Sequence, residues 1–331
     1  MEGTYCCAHL ECGRPATGLR LRRYPTRGFV HQRFGRRVYR SCGLLSHTTA
    51  DARETVVPVP LVRELTVGVS PPAALKHLGQ NFLIDPNIVR KIIALAELSP
   101  TDRVLEIGPG RGILTEALCR SAGHVTAIEV DPRLYAYLSE QRFQFQNLTL
   151  ILGDAMTYPA EQLPIGTIVV ANLPYYLSTP LLFRLLEQAH RIPRLVLMLQ
   201  NEVADRLVAR PGRSAYGVLS VMAQYSADIT KAFKVSPQCF RPRPDVDSAV
   251  VLLRVKDRME QTREAREQFA TFVRAAFAHR RKTLVNSLKD QGYEQKHVEA
   301  ALTTLHFSPS IRAETLSLDE LIALSQHIHR I

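Results

Sequence analysis

The 331-residue sequence has no tryptophan, no Cys-x-x-Cys pair and, in its first 75 residues, no lysine. Nowhere does it approach the run of about 18 apolar residues that a membrane-spanning helix needs, so no membrane partner is expected. Its six cysteines (Cys6, Cys7, Cys12, Cys42, Cys119 and Cys239) form no regular framework, which argues against a disulfide scaffold and for a reducing compartment. Cys6, Cys7, His9 and Cys12 cluster, yet no second ligand pair follows at a zinc-finger spacing, and no metal is expected. With 46% hydrophobic and 22% charged residues, the chain is also unsuited to disorder throughout.

What is present is basic charge, unevenly placed. Of the net +11, residues 1–75 hold +6, from 11 arginines against 5 acids, and residues 76–331 hold +5. The front segment shows no sustained period and is rich in Arg, Gly and Pro. It reads as a disordered basic extension. Two origins fit it. One is an organellar transit peptide, against which Glu2, Glu11 and the paired cysteines count. The other, preferred, is a start site placed too far upstream of a GUG codon at Val67 or Val69. The expected localisation is cytoplasmic under the second and mitochondrion or plastid under the first.

From Lys76 the pattern alternates between strand and helix. RVLEIG (103–108), HVTAIEVD (124–131), LTLILGD (148–154), GTIVVANL (166–173) and RLVLMLQ (194–200) read as strands. ILTEALCRSA (113–122), TPLLFRLLEQA (179–189) and NEVADRLVA (201–209) read as helices. The economical fold is a mostly parallel, doubly wound α/β sheet. Beyond the charged stretch near residue 256, apolar residues recur at helical spacing. The expected domains are an extension (1–75), a catalytic α/β domain (76–255) and a small all-helical domain (256–331).

Two stretches carry chemistry. EIGPGRGIL places Gly108, Gly110 and Gly112 between a strand and a helix, where side chains would keep a ligand from the backbone. Glu129 ends the next strand, where a carboxylate can take both hydroxyls of a ribose, and Asp154 ends the third, where it can accept from an adenine amino group. The GxGxG spacing and the acid Glu106 before it favour a cationic sulfonium cofactor over a pyrophosphate, which these carboxylates would repel. NLPY (172–175) follows the fourth strand. The Asn172 side-chain oxygen and the Leu173 carbonyl can accept hydrogen bonds from an exocyclic amine, Pro174 stiffens the backbone, and Tyr175 offers a face for a flipped-out base. The same stretch also fits an Asn-capped turn with core tyrosines, and Tyr176 is expected only to pack.

These residues resemble the KsgA-type ribosomal RNA small-subunit adenine N6,N6-dimethyltransferases, class I S-adenosylmethionine-dependent enzymes. The ordered motifs are LGQNFLID (78–85), LEIGPGRGILT (105–115), IEVD (128–131), GDAM (153–156), NLPYYLSTP (172–180), VMAQY (221–225), FRPRPDVDSAV (240–250) and AFAHRRKTLVNSL (276–288). The resemblance implies a seven-stranded Rossmann-like methyltransferase sheet and a helical domain that docks RNA. It implies that Asn81 and Leu83 close over the cofactor, that Gly108 meets its methionine end, and that Asn172 touches both cofactor and amine. Phe240 is implied to stack on the target base opposite Tyr175. The implied partners are small-subunit ribosomal RNA and a pre-30S-type particle, with the enzyme as a monomer. One departure is Asp245, where the family often has Lys, with Arg241 and Arg243 beside it.

RNA contact is expected from the basic segment Arg274, Arg280, Arg281 and Lys282, which otherwise reads as a solvated helix face. The rivals are a large-subunit adenine N6-methyltransferase of the antibiotic-resistance type and an organellar transcription factor on the same scaffold. A nicotinamide oxidoreductase would need GxGxxG, which is absent.

Overall fold

A computed structural model describes residues 70–75, 78–141, 145–188, 190–256 and 263–328. The chain divides into two units, Met1–Pro60 and Leu61–Ile331, and all described residues lie in the second. The expectations for the basic extension and its cysteines therefore fall outside them. Among the described residues no helix is long and apolar enough to cross a membrane.

The elements run in chain order as β1 (Phe82–Leu83), α1 (Pro86–Ala96), β2 (Arg103–Ile107), α2 (Ile113–Ser121), β3 (His124–Glu129), α3 (Pro132–Gln141) and β4 (Leu148–Leu152). Next come β5 (Ile168–Asn172), α4 (Ser178–Glu187), β6 (Arg194–Gln200), α5 (Asn201–Leu207), α6 (Val218–Ser226), β7 (Ala227–Val235), β8 (Phe240–Arg241) and β9 (Ser248–Val255). Four helices close the chain: α7 (Arg263–Ala276), α8 (Leu284–Asp290), α9 (Gln295–Thr304) and α10 (Leu318–Ile328).

Seven strands form one sheet in the order β4-β3-β2-β5-β6-β9-β7. The first five are parallel, as the βα alternation predicts, and β9 runs antiparallel between β6 and β7. The apolar runs IVVAN and RLVLMLQ suit strands covered on both faces. Alternate side chains go to opposite sides: Val169, Leu195 and Leu197 pack with α4 and α5, whereas Val170, Val196 and Met198 pack with α1 and α2. The strand order reverses between β2 and β5, the crevice where open α/β sheets bind ligands.

A third cluster joins α7–α10 and includes Phe272, Leu288, Leu302 and Leu324. Tyr216, Val221 and Tyr225, around and within α6, belong to it as well. The helical packing thus begins before residue 256.

Candidate active site

The turn after β2 sets the geometry. Gly108, Gly110 and Gly112 all have positive φ (69°, 60° and 86°). At Gly110 a Cβ would come within 3.0 Å of the Phe82 ring, and the freed backbone lets its amide donate to Glu129 Oε2 at 3.1 Å. The other oxygen of Glu129 accepts from the Asp131 amide at 2.9 Å. Glu129 is thus aimed from both sides, and each oxygen keeps acceptor capacity for a hydroxyl. Its carboxyl is 3% exposed, and burial raises its pKa against the opposing pull of those two amides.

Glu106 lies in the same cleft, 1% exposed, with no partner for Oε2. Burial, against the opposing pull of Thr115 and with the neighbouring Glu129 charge adding to it, pushes its carboxyl up to about 8. Arg111, the arginine of the cleft lining, is engaged: its guanidinium lies 4.6 Å from the Phe82 ring centroid and donates to the Pro72 carbonyl at 2.9 Å. A buried acid with one unpartnered oxygen, a second buried acid and an occupied arginine suit a ligand carrying positive charge and hydroxyls. They do not suit a pyrophosphate. S-adenosylmethionine, with its sulfonium, amino group and ribose, fits these donors and acceptors.

A strap over the cleft comes from residues 78–83. Gln80 ties it down, accepting from the Leu75 amide at 2.8 Å and donating to Asp131 Oδ2 at 3.0 Å. Asp131 also takes the fork of Arg133, at 2.7 and 3.1 Å, and these bonds hold its carboxyl down at about 2. The strap ends in β1, whose Leu83 pairs with Phe240 of β8. Asn81 and Leu83 both line the cleft.

On the target side, Asn172 ends β5, and its amide donates to the Asn81 carbonyl at 3.3 Å, leaving the side-chain oxygen as the acceptor. Leu173 is held by its own amide on the Met198 carbonyl at 3.0 Å. The Tyr175 hydroxyl bonds Ser248 Oγ at 2.7 Å, which fixes the ring, and burial raises its pKa. The Ser178 hydroxyl caps the turn by donating to the Tyr175 carbonyl at 2.8 Å. Gly79–Leu83, Gly108 and Gly110 of the glycine turn, Glu106, Glu129 and Asn172–Tyr176 all border one cleft open to solvent.

Two expected residues lie elsewhere. Phe240 is fully buried, packed with Leu83 and Val250 in the core, because β8 folds it beneath β1. A flipped base has no access to its ring in this arrangement. Asp154 is exposed and outside the cleft lining, with Oδ1 accepting from the Met156 amide at 2.8 Å. Gln80 and Ser248 also support the site, and Glu106 lies inside it. Glu106 alone had a signal, as an acid directly before the glycine turn.

The sequence profile for ribosomal RNA adenine dimethylases matches residues 73–329. The chain belongs to the ribosomal RNA adenine dimethylase family. It is 44% identical over 262 residues to the ribosomal RNA small subunit methyltransferase A of Moorella thermoacetica, covering 76% of this chain and 91% of that protein. It is 46% identical over 256 residues to the protein of the same name from Chlamydia abortus, at 75% and 90% coverage. Among solved structures, a dimethyladenosine transferase from Plasmodium falciparum superposes with a TM-score of 0.66 at 29% identity, covering 73% of this chain and 95% of the other. The 23S rRNA methyltransferase ErmE does so with a TM-score of 0.61 at 28% identity, covering 75% and 100%. The seven-stranded class I methyltransferase fold and the S-adenosylmethionine-dependent activity on ribosomal RNA adenine follow from family and fold together.

In this dimethylase the basic segment is partly paired. Arg274 lies exposed on α7. Arg280 donates to the Ser214 carbonyl and pairs with Glu314 at 3.3 Å. Lys282 pairs with Asp290, which His279 also approaches at 3.3 Å. Arg281 is exposed and makes no ion pair among the described residues. Such exposed pairs contribute little to stability, so a phosphate can displace them.

Proposed function

We propose that this protein dimethylates the N6 amino groups of two adjacent adenosines in a hairpin near the 3′ end of small-subunit (16S-type) ribosomal RNA, during small-subunit biogenesis. The observation that carries this is the 44–46% identity to small-subunit enzymes over about three quarters of the chain, against 28% to the large-subunit enzyme ErmE. The proposal includes a monomeric enzyme, a pre-30S-type particle as substrate and the cytoplasm as compartment.

The proposed roles follow from position in the cleft, except that of Asp154, which rests on its place just after β4. S-adenosylmethionine supplies an electrophilic methyl group. Glu129 binds the ribose hydroxyls, Gly108 and the buried acid Glu106 face the methionine end, and the second oxygen of Asp154 accepts from the adenine amino group. Asn81 and Leu83 form the roof. The target amine is a poor nucleophile because its lone pair is delocalised into the ring. Hydrogen bonds from it to the Asn172 oxygen and the Leu173 carbonyl favour a pyramidal nitrogen, and Tyr175 holds the base by stacking. No general base is required, since the N6 proton becomes acidic only after methylation and leaves to water. We assign residues 76–255 to catalysis and 256–331 to RNA docking, with Arg274, Arg280, Arg281 and Lys282 reaching phosphates.

The test uses labelled S-adenosylmethionine and unmethylated small ribosomal subunits, with primer extension to locate the product. A stop near the 3′ end of the small-subunit RNA is expected. Label confined to large-subunit RNA would overturn the proposal.

A further inference from the structure

The turn that supplies Asn172 and Tyr175 contains one more aromatic ring. Tyr176 is 55% exposed, and among the described residues it is the only aromatic side chain classed as exposed. Its neighbour behaves oppositely: the Tyr175 hydroxyl is drawn inward to Ser248. The difference arises in the turn. The Leu177 amide donates to the Pro174 carbonyl at 3.0 Å, so the two tyrosines occupy its central positions and point in different directions.

Tyr176 lines the cleft mouth and is backed there. A Cβ on Gly79 would stand 3.4 Å from Tyr176 Cδ1 and 3.8 Å from Cε1, at van der Waals range, so part of the ring faces Gly79 of the strap. A single exposed apolar residue is ordinary on a protein surface. A large ring supported by glycine at the entrance to a nucleobase site is a different case. Flipping an adenosine out of its stack exposes a face of the neighbouring base, and an aromatic platform at the entrance replaces the lost contact.

We infer that Tyr176 is a second base-binding subsite, stacking the purine next to the one whose amino group sits at Asn172. This inference rests on the proposed substrate, in which that neighbour is itself an adenosine to be modified. It gives the turn two tyrosines with separate tasks: Tyr175 for the base undergoing transfer and Tyr176 for its neighbour.

The full-length protein, its Tyr176→Ala variant and its Tyr176→Phe variant test this on unmethylated small subunits. Tyr176→Ala should raise KM for the subunits about ten-fold, while KM for S-adenosylmethionine moves by less than about two-fold. Tyr176→Phe, which keeps the ring, should restore the subunit KM. Digestion to nucleosides should also show more subunits modified at only one of the two adenosines with Tyr176→Ala. An unchanged subunit KM, or an increase confined to the S-adenosylmethionine KM, would overturn the inference, the latter assigning the ring to the strap. A wild-type protein inert on small subunits would instead contradict the proposed function.

Discussion

The side-chain amide of Asn172 donates to the backbone carbonyl of Asn81, 91 residues earlier in the chain, at 3.3 Å. This bond joins the strap over the cleft to the turn proposed to meet the target amine, and it leaves the acceptor end of the Asn172 side-chain amide unengaged by Asn81. Asn172→Ala should therefore lower single-turnover methyl transfer by about 100-fold or more, the scale of losing one positioned transition-state hydrogen bond. A variant with the wild-type rate would refute the role of that side chain.

The strap has its own latch in Gln80, which bridges Leu75 and Asp131. Removing it with Gln80→Ala frees one end of the roof and unsettles the loop whose Asp131 amide orients Glu129. We expect S-adenosylmethionine to bind about ten-fold more weakly by calorimetry, corresponding to one or two net hydrogen bonds. An unchanged Kd would mean that the strap closes without this latch.

Glu106 makes the empty protein sensitive to pH. Its carboxyl is pushed up to about 8 from an ordinary value of 4.5, so the folded state favours the neutral form. A folded-state pKa raised in this way contributes stability that is fully present below about 4.5 and is lost as pH rises through about 8. The thermal midpoint of the ligand-free protein should therefore fall between about pH 6 and pH 9, and Glu106→Gln should flatten that decline. A positively charged ligand favours the ionised carboxyl, so S-adenosylmethionine binding near neutral pH should release a proton. Calorimetry in two buffers of different ionisation enthalpy reads that release directly, and identical heats in both would contradict it.

Phe240 is a core residue in this fold. Phe240→Ala should cost about 3–5 kcal/mol in urea unfolding, as expected for emptying a packed aromatic site. A variant as stable as the wild type would show that the ring is free to leave the core and would reopen a stacking role.

Much of this was legible in the sequence, and the exceptions share a cause. The parallel strands and the glycine turn announce themselves through local signals, namely apolar runs ending in Gly, Glu or Asn, and β6 occupies the very residues of RLVLMLQ. For Phe240 the motif gives a position along the chain but not the depth to which the fold sinks its ring. That depth comes from the pairing of β8 with β1, about 157 residues apart in sequence, which no local pattern reveals. The ion pairs within the basic run escape the sequence for a related reason: the partners Asp290 and Glu314 come from elsewhere in the helical region. Tyr176 reads as packing in sequence because adjacent tyrosines look alike, and only the turn separates them.

The central claim is that one cleft places an adenosine amine between Asn172 and Tyr175 and accepts it twice. The most direct measurement is mass analysis of nucleosides from unmethylated small subunits after exhaustive reaction with the purified protein and S-adenosylmethionine. The account predicts N6,N6-dimethyladenosine at two adjacent positions near the 3′ end of the RNA. Monomethyladenosine as the sole end product, or product in large-subunit RNA alone, would contradict it.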